Sequence, residues 1–314
     1  MSATGAVGGL PWTVARVHRT ALIVGGSLVV AVVALLVWAM GVTAGPARAE
    51  AFHCLHSDSC DVTTTLEYSA ILRYTATVLS HCFYAVAAWA GAALIARELE
   101  SGTAWLAWTQ SVSPVRWLAA KLAVPALLIT LSGTVLVAAY RWSWSNRPAR
   151  VIGDWSATGV FVARGPAMVA YALCALAVGA LTGLALRRSL PALSVSFAVM
   201  LLLSQCLDRY RADLWPTITR TGAAVYDQPS TVWQLESGVF VHGKRVPDPS
   251  YGNCEGTTGE ARRCLAEHGV MGRYSVYHPD SHFWPLHLVE TGIVLAVTAA
   301  ATAAAFRLLH RRTA

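Results

Sequence analysis

Several groups of residues in this chain have types and spacings that suit chemistry. His53, Cys54, His56 and Cys60 have the spacing of metal ligands, and the two cysteines also suit a small disulfide loop. Cys254 and Cys264 form a second close pair. Gly238 to Lys244 fits the G-x4-G-K phosphate loop, but Arg245 stands where a Ser or Thr hydroxyl must meet Mg²⁺. No strand–loop–helix pattern surrounds it, so the match reads as chance. His278, His282 and His287 approach one helical face, but Pro279 and Pro285 interrupt it, which favours an aromatic, proline-broken turn over a metal site. The G-x-S-x-G elbow of hydrolases is absent. No catalytic set and no metal site emerges.

His81 and Glu290 are ionisable residues inside apolar runs. A charge at mid-bilayer costs about 2.5–3.5 kcal/mol on insertion scales, so such a group faces a partner or a cavity. Glu290 reads either as a carboxylate held by a neighbouring helix, with His287 one turn earlier, or as a group at the outer mouth of a pathway. His81 reads first as a packing or hydrogen-bonding residue and otherwise as part of that pathway.

The elements that must position these residues are membrane helices. Hydrophobic residues make up 55% of the chain and charged residues 13%, with a mean hydropathy of +0.49. A soluble domain carries about 25% charged residues. A span needs about 20 mostly apolar residues to cross about 30 Å of hydrocarbon. Six runs qualify, near 20–40, 74–96, 118–140, 166–186, 189–207 and 285–306. Gly179 and Gly183 place a GxxxG in the fourth, which suits close helix packing. The first run exceeds the h-region of a signal peptide and reads as a retained span.

Lys and Arg near the span ends set the orientation. Arg16, Arg19, Arg97, Arg116, Lys121, Arg187, Arg188, Arg307, Arg311 and Arg312 all fall on one side if both termini are cytoplasmic. Arg141, Arg147 and Arg150 are the exceptions. The net charge of +7 thus reads as topology in a plasma-membrane protein. The scattered bases exclude a nucleic-acid patch. Every loop cysteine then falls outside, where disulfides persist, which predicts Cys54–Cys60 and Cys254–Cys264 bridges.

The outside segments are 41–73, 141–165 and 208–284. The last is polar and long enough for a small ordered cap, followed by the sixth span and tail, 285–314. Trp142, Trp144 and Trp155 suit a lipid–water interface. On the inner side, 97–121 is far longer than a turn needs and has helical spacing, with Trp105 and Trp108 sharing a face. Glu98 and Glu100 suit a helix N-terminus, and Gly102 and Pro114 allow a bent start and finish. The segment reads as a docking element, with an interfacial helix on the inner leaflet as the alternative.

Two motifs carry a family resemblance. Arg97-Glu98-x-Glu100-x-Gly102-Thr103-x-x-Leu106-Ala107-Trp108-Thr109-Gln110-Ser111, followed by Arg116-Trp117-Leu118-x-x-Lys121, resembles the signature of actinobacterial ABC-2-type transporter permeases. Tyr277-x-Pro279-x-Ser281-x-Phe283-Trp284, with Glu290 beyond it, resembles the start of the last span in the same group; His282 stands where that pattern has Arg. The resemblance implies an all-α polytopic membrane protein with six transmembrane helices, a cytosolic coupling helix between the second and third, and an extracellular cap between the fifth and sixth. Spans one to five and their loops occupy 1–207, and the cap 208–284.

The resemblance also implies a permease subunit that is not itself an enzyme. It would bind no cofactor; ATP and Mg would act through a cytosolic ABC ATPase subunit dimer, with a second copy of the permease completing the complex in membrane lipid. The coupling residues carried over are Glu98, Glu100, Gly102, Thr103, Trp108, Thr109, Gln110, Arg116 and Trp117. The implied activity is outward transport of a hydrophobic or amphipathic drug, natural product or peptide by alternating access, through a cavity lined by spans two and five. The alternatives are a non-transporting membrane sensor or receptor, and a metal handler using the outside histidines.

Overall fold

The computed structural model describes residues 16, 19–56, 61–110, 112–147, 155–225, 227–229, 231–247, 263–264 and 266–313. Among these, six helices are long and apolar enough to cross a membrane. They are α1 (Arg19–Val42), α3 (Thr63–Trp89, continuing to Glu100), α5 (Pro114–Ser145), α7 (Ala167–Leu186), α8 (Ser189–Tyr210) and α9 (Phe283–Thr313). Three short helices accompany them: α2 (Ala44–His56), α4 (Thr103–Thr109) and α6 (Thr158–Ala163). The six-span helical architecture is therefore the one the apolar runs indicate.

The boundaries differ from the hydropathy limits. Most of the expected 41–73 loop is helical, forming α2 and the first turns of α3. Hydropathy sees only apolar length, whereas α3 is extended by a cap. Glu50 on α2 accepts the Thr64 and Thr65 backbone N–H groups at 3.1 and 2.9 Å, and the Thr65 hydroxyl at 3.1 Å. That satisfies orphan donors of the helix start and places an anion at its positive end. The hydrogen bonds from Thr64 and Thr65 outweigh opposing burial and hold the Glu50 carboxyl below its ordinary range. Asp61 adds a bond to the Thr63 N–H at 2.9 Å.

The contacts divide the chain into two units. The helical unit comprises the described residues within 1–151, 157–208 and 287–314. Its central helix is α7, which is buried along most of its length. Its packing depends on absent side chains. A Cβ on Gly179 would sit 2.7–2.8 Å from Ala90, the Ala87 carbonyl and the Gly91 nitrogen. A Cβ on Gly183 would meet Ile95 and the Gly91 carbonyl at 2.9 and 3.0 Å. The facing part of α3, Ala90–Ala96, is a π-helical turn of small and aliphatic residues. The GxxxG of span four thus lies against the one π turn described in span two, and backbone contact replaces side-chain volume.

The tryptophans of 141–165 behave differently from one another. Trp142 is half exposed, as an interfacial ring should be. Trp144 is buried in the helical unit, with Arg147 and Arg164 over its ring at 4.3 and 4.9 Å. Trp155 is buried in the second unit, where its indole N–H donates to the Thr231 carbonyl at 2.8 Å. Both bury their rings because each finds a protein partner, which corrects the expectation of an interfacial belt at these two positions.

The second unit comprises the described residues within 152–156 and 209–286. The expected cap between spans five and six is a four-stranded antiparallel sheet, in the order β1 (Ile218–Thr221), β4 (Val270–His278), β2 (Trp233–Val241), β3 (Lys244–Pro247). The G-x4-G-K near-match is its β2–β3 hairpin. Val241 pairs with Lys244, and the two turn residues His242 and Gly243 have φ of 47° and 78°. Two positive-φ residues make the primed turn that suits strand twist. The pattern is therefore turn chemistry, with Gly238 leaving room for the Tyr274 ring and the Val246 carbonyl.

Candidate functional site: the 97–121 turn

The expected docking segment is three pieces. Span two runs through the π turn to Glu100, and Gly102 then reverses the chain with φ of 76°. Helix α4 follows for seven residues. Ser113 caps the next helix by accepting the Arg116 N–H at 3.4 Å, and Pro114 opens α5. Gly102 and Pro114 thus serve as the bent start and finish. The acidic pair does not lie at the N-terminus of the docking helix. Glu98 and Glu100 end span two, because the left-handed Gly102 starts a new helix after them.

Each glutamate has a different partner. Glu98 forms an ion pair with Lys121 of α5, whose side chain is 6% exposed, and accepts the Trp117 indole N–H at 3.2 Å. The Glu98 backbone carbonyl accepts the Thr103 hydroxyl at 3.3 Å. Truncating one partner of a buried pair is costly because a desolvated charge remains, so Glu98 is a bracket between spans two and three. Glu100 reaches a residue 89 positions away: one carboxylate oxygen accepts both the N–H and the hydroxyl of Ser189, at 2.9 and 2.6 Å. Ser189 is the first residue of α8, so span two supplies the cap of span five.

The aromatic residues complete the turn. Trp105 meets Trp108 edge-on at 4.9 Å, and Trp108 meets Trp117 at 5.6 Å. Such pairs add about 0.5–1.5 kcal/mol beyond burial. Beneath them lies a core of Leu94, Ile95, Ala104, Leu118, Leu184 and Leu309, which ties α4 to spans two, three, four and six. Trp117 is buried and Trp108 partly so, while Trp105, Leu106, Thr109, Gln110 and Arg116 are exposed. The motif therefore splits into an inner set that holds the turn (Glu98, Glu100, Thr103, Trp108, Trp117) and an outer set free to meet a partner. Lys121 and Ser189 belong to the inner set too. Lys121 was visible in the motif, whereas Ser189 had no signal beyond its place at a helix start.

The two pathway candidates are linked. His81 is exposed; its Nδ1 lies 2.7 Å from the Thr77 carbonyl, which can only accept, so Nδ1 carries the proton. Its ring lies 5.7 Å from Tyr84, Tyr84 lies 4.3 Å from Phe83, and Phe83 stacks on Tyr171 at 4.9 Å. The Tyr171 hydroxyl donates to Glu290 at 2.8 Å, and Glu290 is fully buried. His287 accepts the Ala167 N–H at 3.0 Å at the start of α7. Glu290 is thus held by a neighbouring helix, and an aromatic row joins it to the His81 face of span two.

In the second unit His278 and His282 form a pair, with Nδ1 atoms 2.9 Å apart. The His278 Nε2 donates to the Ala212 carbonyl at 3.0 Å, so its Nδ1 accepts and His282 donates. Burial, aided by His282, pushes the His278 ring below its ordinary value against the opposing Ala212 carbonyl and Asp213. Among the described residues no group of three or more His, Cys, Asp or Glu suits a metal. Cys60 and Cys254 lie outside the described residues, so both predicted disulfides and the His53–Cys60 metal alternative do as well. Cys82, Cys174 and Cys206 are free thiols.

Residues 25–211 match the family model described as ABC-2 membrane transporter related. The match covers more than half of the 314 residues and takes in nearly all of the first five spans and the whole 97–121 turn. The chain belongs to this family and is a multi-pass ABC-2-type permease. The family implies a partner subunit that binds ATP. No curated protein and no solved structure matches the chain.

Proposed function

We propose that this permease is the transmembrane subunit of an ATP-driven exporter, and that it moves a hydrophobic or amphipathic compound outward by alternating access. One observation supports this most directly: α4 presents exposed Trp105 and Leu106 on a turn that an ion pair to buried Lys121 and a cap on Ser189 fasten to the spans. A short helix held that way passes a push to the membrane helices. Exposed apolar rings on a polar turn suit a protein partner.

In this reading α4 docks into a cytosolic ATP-binding subunit, two copies of which pair with two copies of the permease. Trp105, Leu106, Thr109, Gln110 and Arg116 form the contact. ATP and Mg act in the partner. Both termini are cytoplasmic in the plasma membrane. The sheet between spans five and six is extracellular, with Cys54–Cys60 and Cys254–Cys264 bridged. The His81 and Tyr84 face of span two and the Phe197 face of span five line the substrate path, and the aromatic row to Glu290 braces it.

The test is co-purification of the full-length permease with its ATP-binding subunit. Leu106→Asp is expected to abolish the complex while the variant still inserts in the membrane. A complex that survives Leu106→Asp, or a wild-type permease that neither binds nor stimulates an ATP-binding subunit, overturns the reading.

A further inference from the structure

The two-residue connection between spans four and five is clamped from both sides. Arg187 adopts φ of 54°, and Arg188 leads directly into α8. A helix C-terminus presents unsatisfied carbonyls and a negative pole, and a helix N-terminus presents N–H donors and a positive pole. Here a cation meets the first and an anion the second. Arg312, in the tail of span six, donates to the Leu184 and Ala185 carbonyls at the end of α7. Glu100, at the end of span two, accepts both donors of Ser189 at the start of α8.

We propose that Glu100 and Ser189 are positioning residues, and that they form the joint through which motion of the 97–121 turn reaches span five. The inference rests on the docking reading of α4. Three features set this joint apart from the Glu98 bracket. Glu98 binds spans two and three, which the chain already connects through a short turn. Glu100 joins helices that the chain connects only through spans three and four. The Glu100–Ser189 contact is also exposed, whereas Glu98 meets a buried lysine. Finally, a cleft of about 500 Å³ opens beside it, lined by Ala92, Ala93, Arg97, Glu100, Ser101 and Ser189. The joint therefore has room to swing. The π turn supplies the small residues on that side, and π turns break helical regularity where a helix must bend.

The experiment measures the distance between spin labels at Val115→Cys, in the turn but outside the proposed docking contact, and Leu190→Cys, both exposed, with Cys82, Cys174 and Cys206 replaced by serine. The full-length protein in nanodiscs is measured alone and with its ATP-binding subunit, with and without Mg–ATP and vanadate. Wild type is expected to give one narrow distance that ATP leaves unchanged, because the turn and the start of span five travel together. Glu100→Ala is expected to broaden the distribution in the protein alone and to make it ATP-dependent in the complex, with co-purification retained. Glu100→Gln keeps an acceptor and restores the narrow distance, and Ser189→Ala lies between. A narrow, ATP-insensitive distance in Glu100→Ala overturns the joint. Failure of wild type to capture an ATP-binding subunit overturns the docking reading instead, and the joint is then judged on the broadening in the protein alone.

Discussion

Span two carries a carboxylate cap at each end, and the two differ in reach. At its start, Glu50 on the preceding helix caps span two itself, 14 and 15 residues away. At its finish, Glu100 on span two caps span five, 89 residues away. The 38-residue helix between them is about 57 Å long at about 1.5 Å per residue. That exceeds the hydrocarbon thickness of about 30 Å, so the helix is long enough for both caps to lie beyond the hydrocarbon. The chemistry is the same, but the first cap lengthens a helix and the second fastens two helices together. A cap supplied from a distant span holds only while both spans keep their places.

Four predictions bear on this contrast between holding and transmitting, beginning with the largest. Glu98→Ala leaves Lys121 buried without its carboxylate and is expected to cost about 3–5 kcal/mol, seen as a large drop in melting temperature in detergent. A Glu98→Gln/Lys121→Met double variant is expected to melt well above it. If Glu98→Ala melts like wild type, the bracket is not structural and the division between the two glutamates collapses. Gly183→Leu overfills the contact with the π turn and is expected to cost about 1–3 kcal/mol on the same assay.

The third prediction concerns the near cap. Hydrogen bonds hold the Glu50 carboxyl below 4.5 in the folded protein, so its contribution is complete above that value. It is lost as pH falls through the lowered folded value. Melting temperature should therefore decline with acid in wild type and much less in Glu50→Gln, and parallel curves would count against the cap. The smallest effect belongs to the sheet. His278 sits below 6.5 in the fold because burial disfavours its charge, so the unfolded state binds the proton more readily in that window. Stability of the sheet should rise with pH through the window and fall as pH drops below 6.5. Hydrogen exchange of the β4 amides between neutral and mildly acidic pH checks this, and equal protection at both ends would refute it.

Much of this was legible in the amino-acid order. The six spans are visible because lipid demands about 20 apolar residues in a row. Gly102 and Pro114 announce the ends of α4 because each imposes a backbone geometry. What escaped are features set by partners distant in sequence. The acidic pair reads locally as a helix start, and only the fold reveals that Glu98 faces Lys121 and Glu100 faces Ser189. Trp144 and Trp155 read as interfacial rings because composition cannot show the arginines and the Thr231 carbonyl that meet them. The sheet escaped because β1 and β3 have only four residues each, and β2 and β4 pair across a register shift between Gln234 and Glu236.

The π turn at Ala90–Ala96 sets a phase. A residue inserted into an α-helix advances everything after it by about 100°, since a turn holds about 3.6 residues. Span two therefore has two faces out of step. Before the turn, His81 and Tyr84 lie on the side where Tyr84 meets Phe197 and Ser204 of span five. After it, Glu98 and Glu100 point at Lys121 and Ser189. Deleting one alanine from the turn would leave the apolar length and the motif intact while rotating both carboxylates away from their partners. The same helix would still cross the membrane, but its two halves would no longer keep the same time.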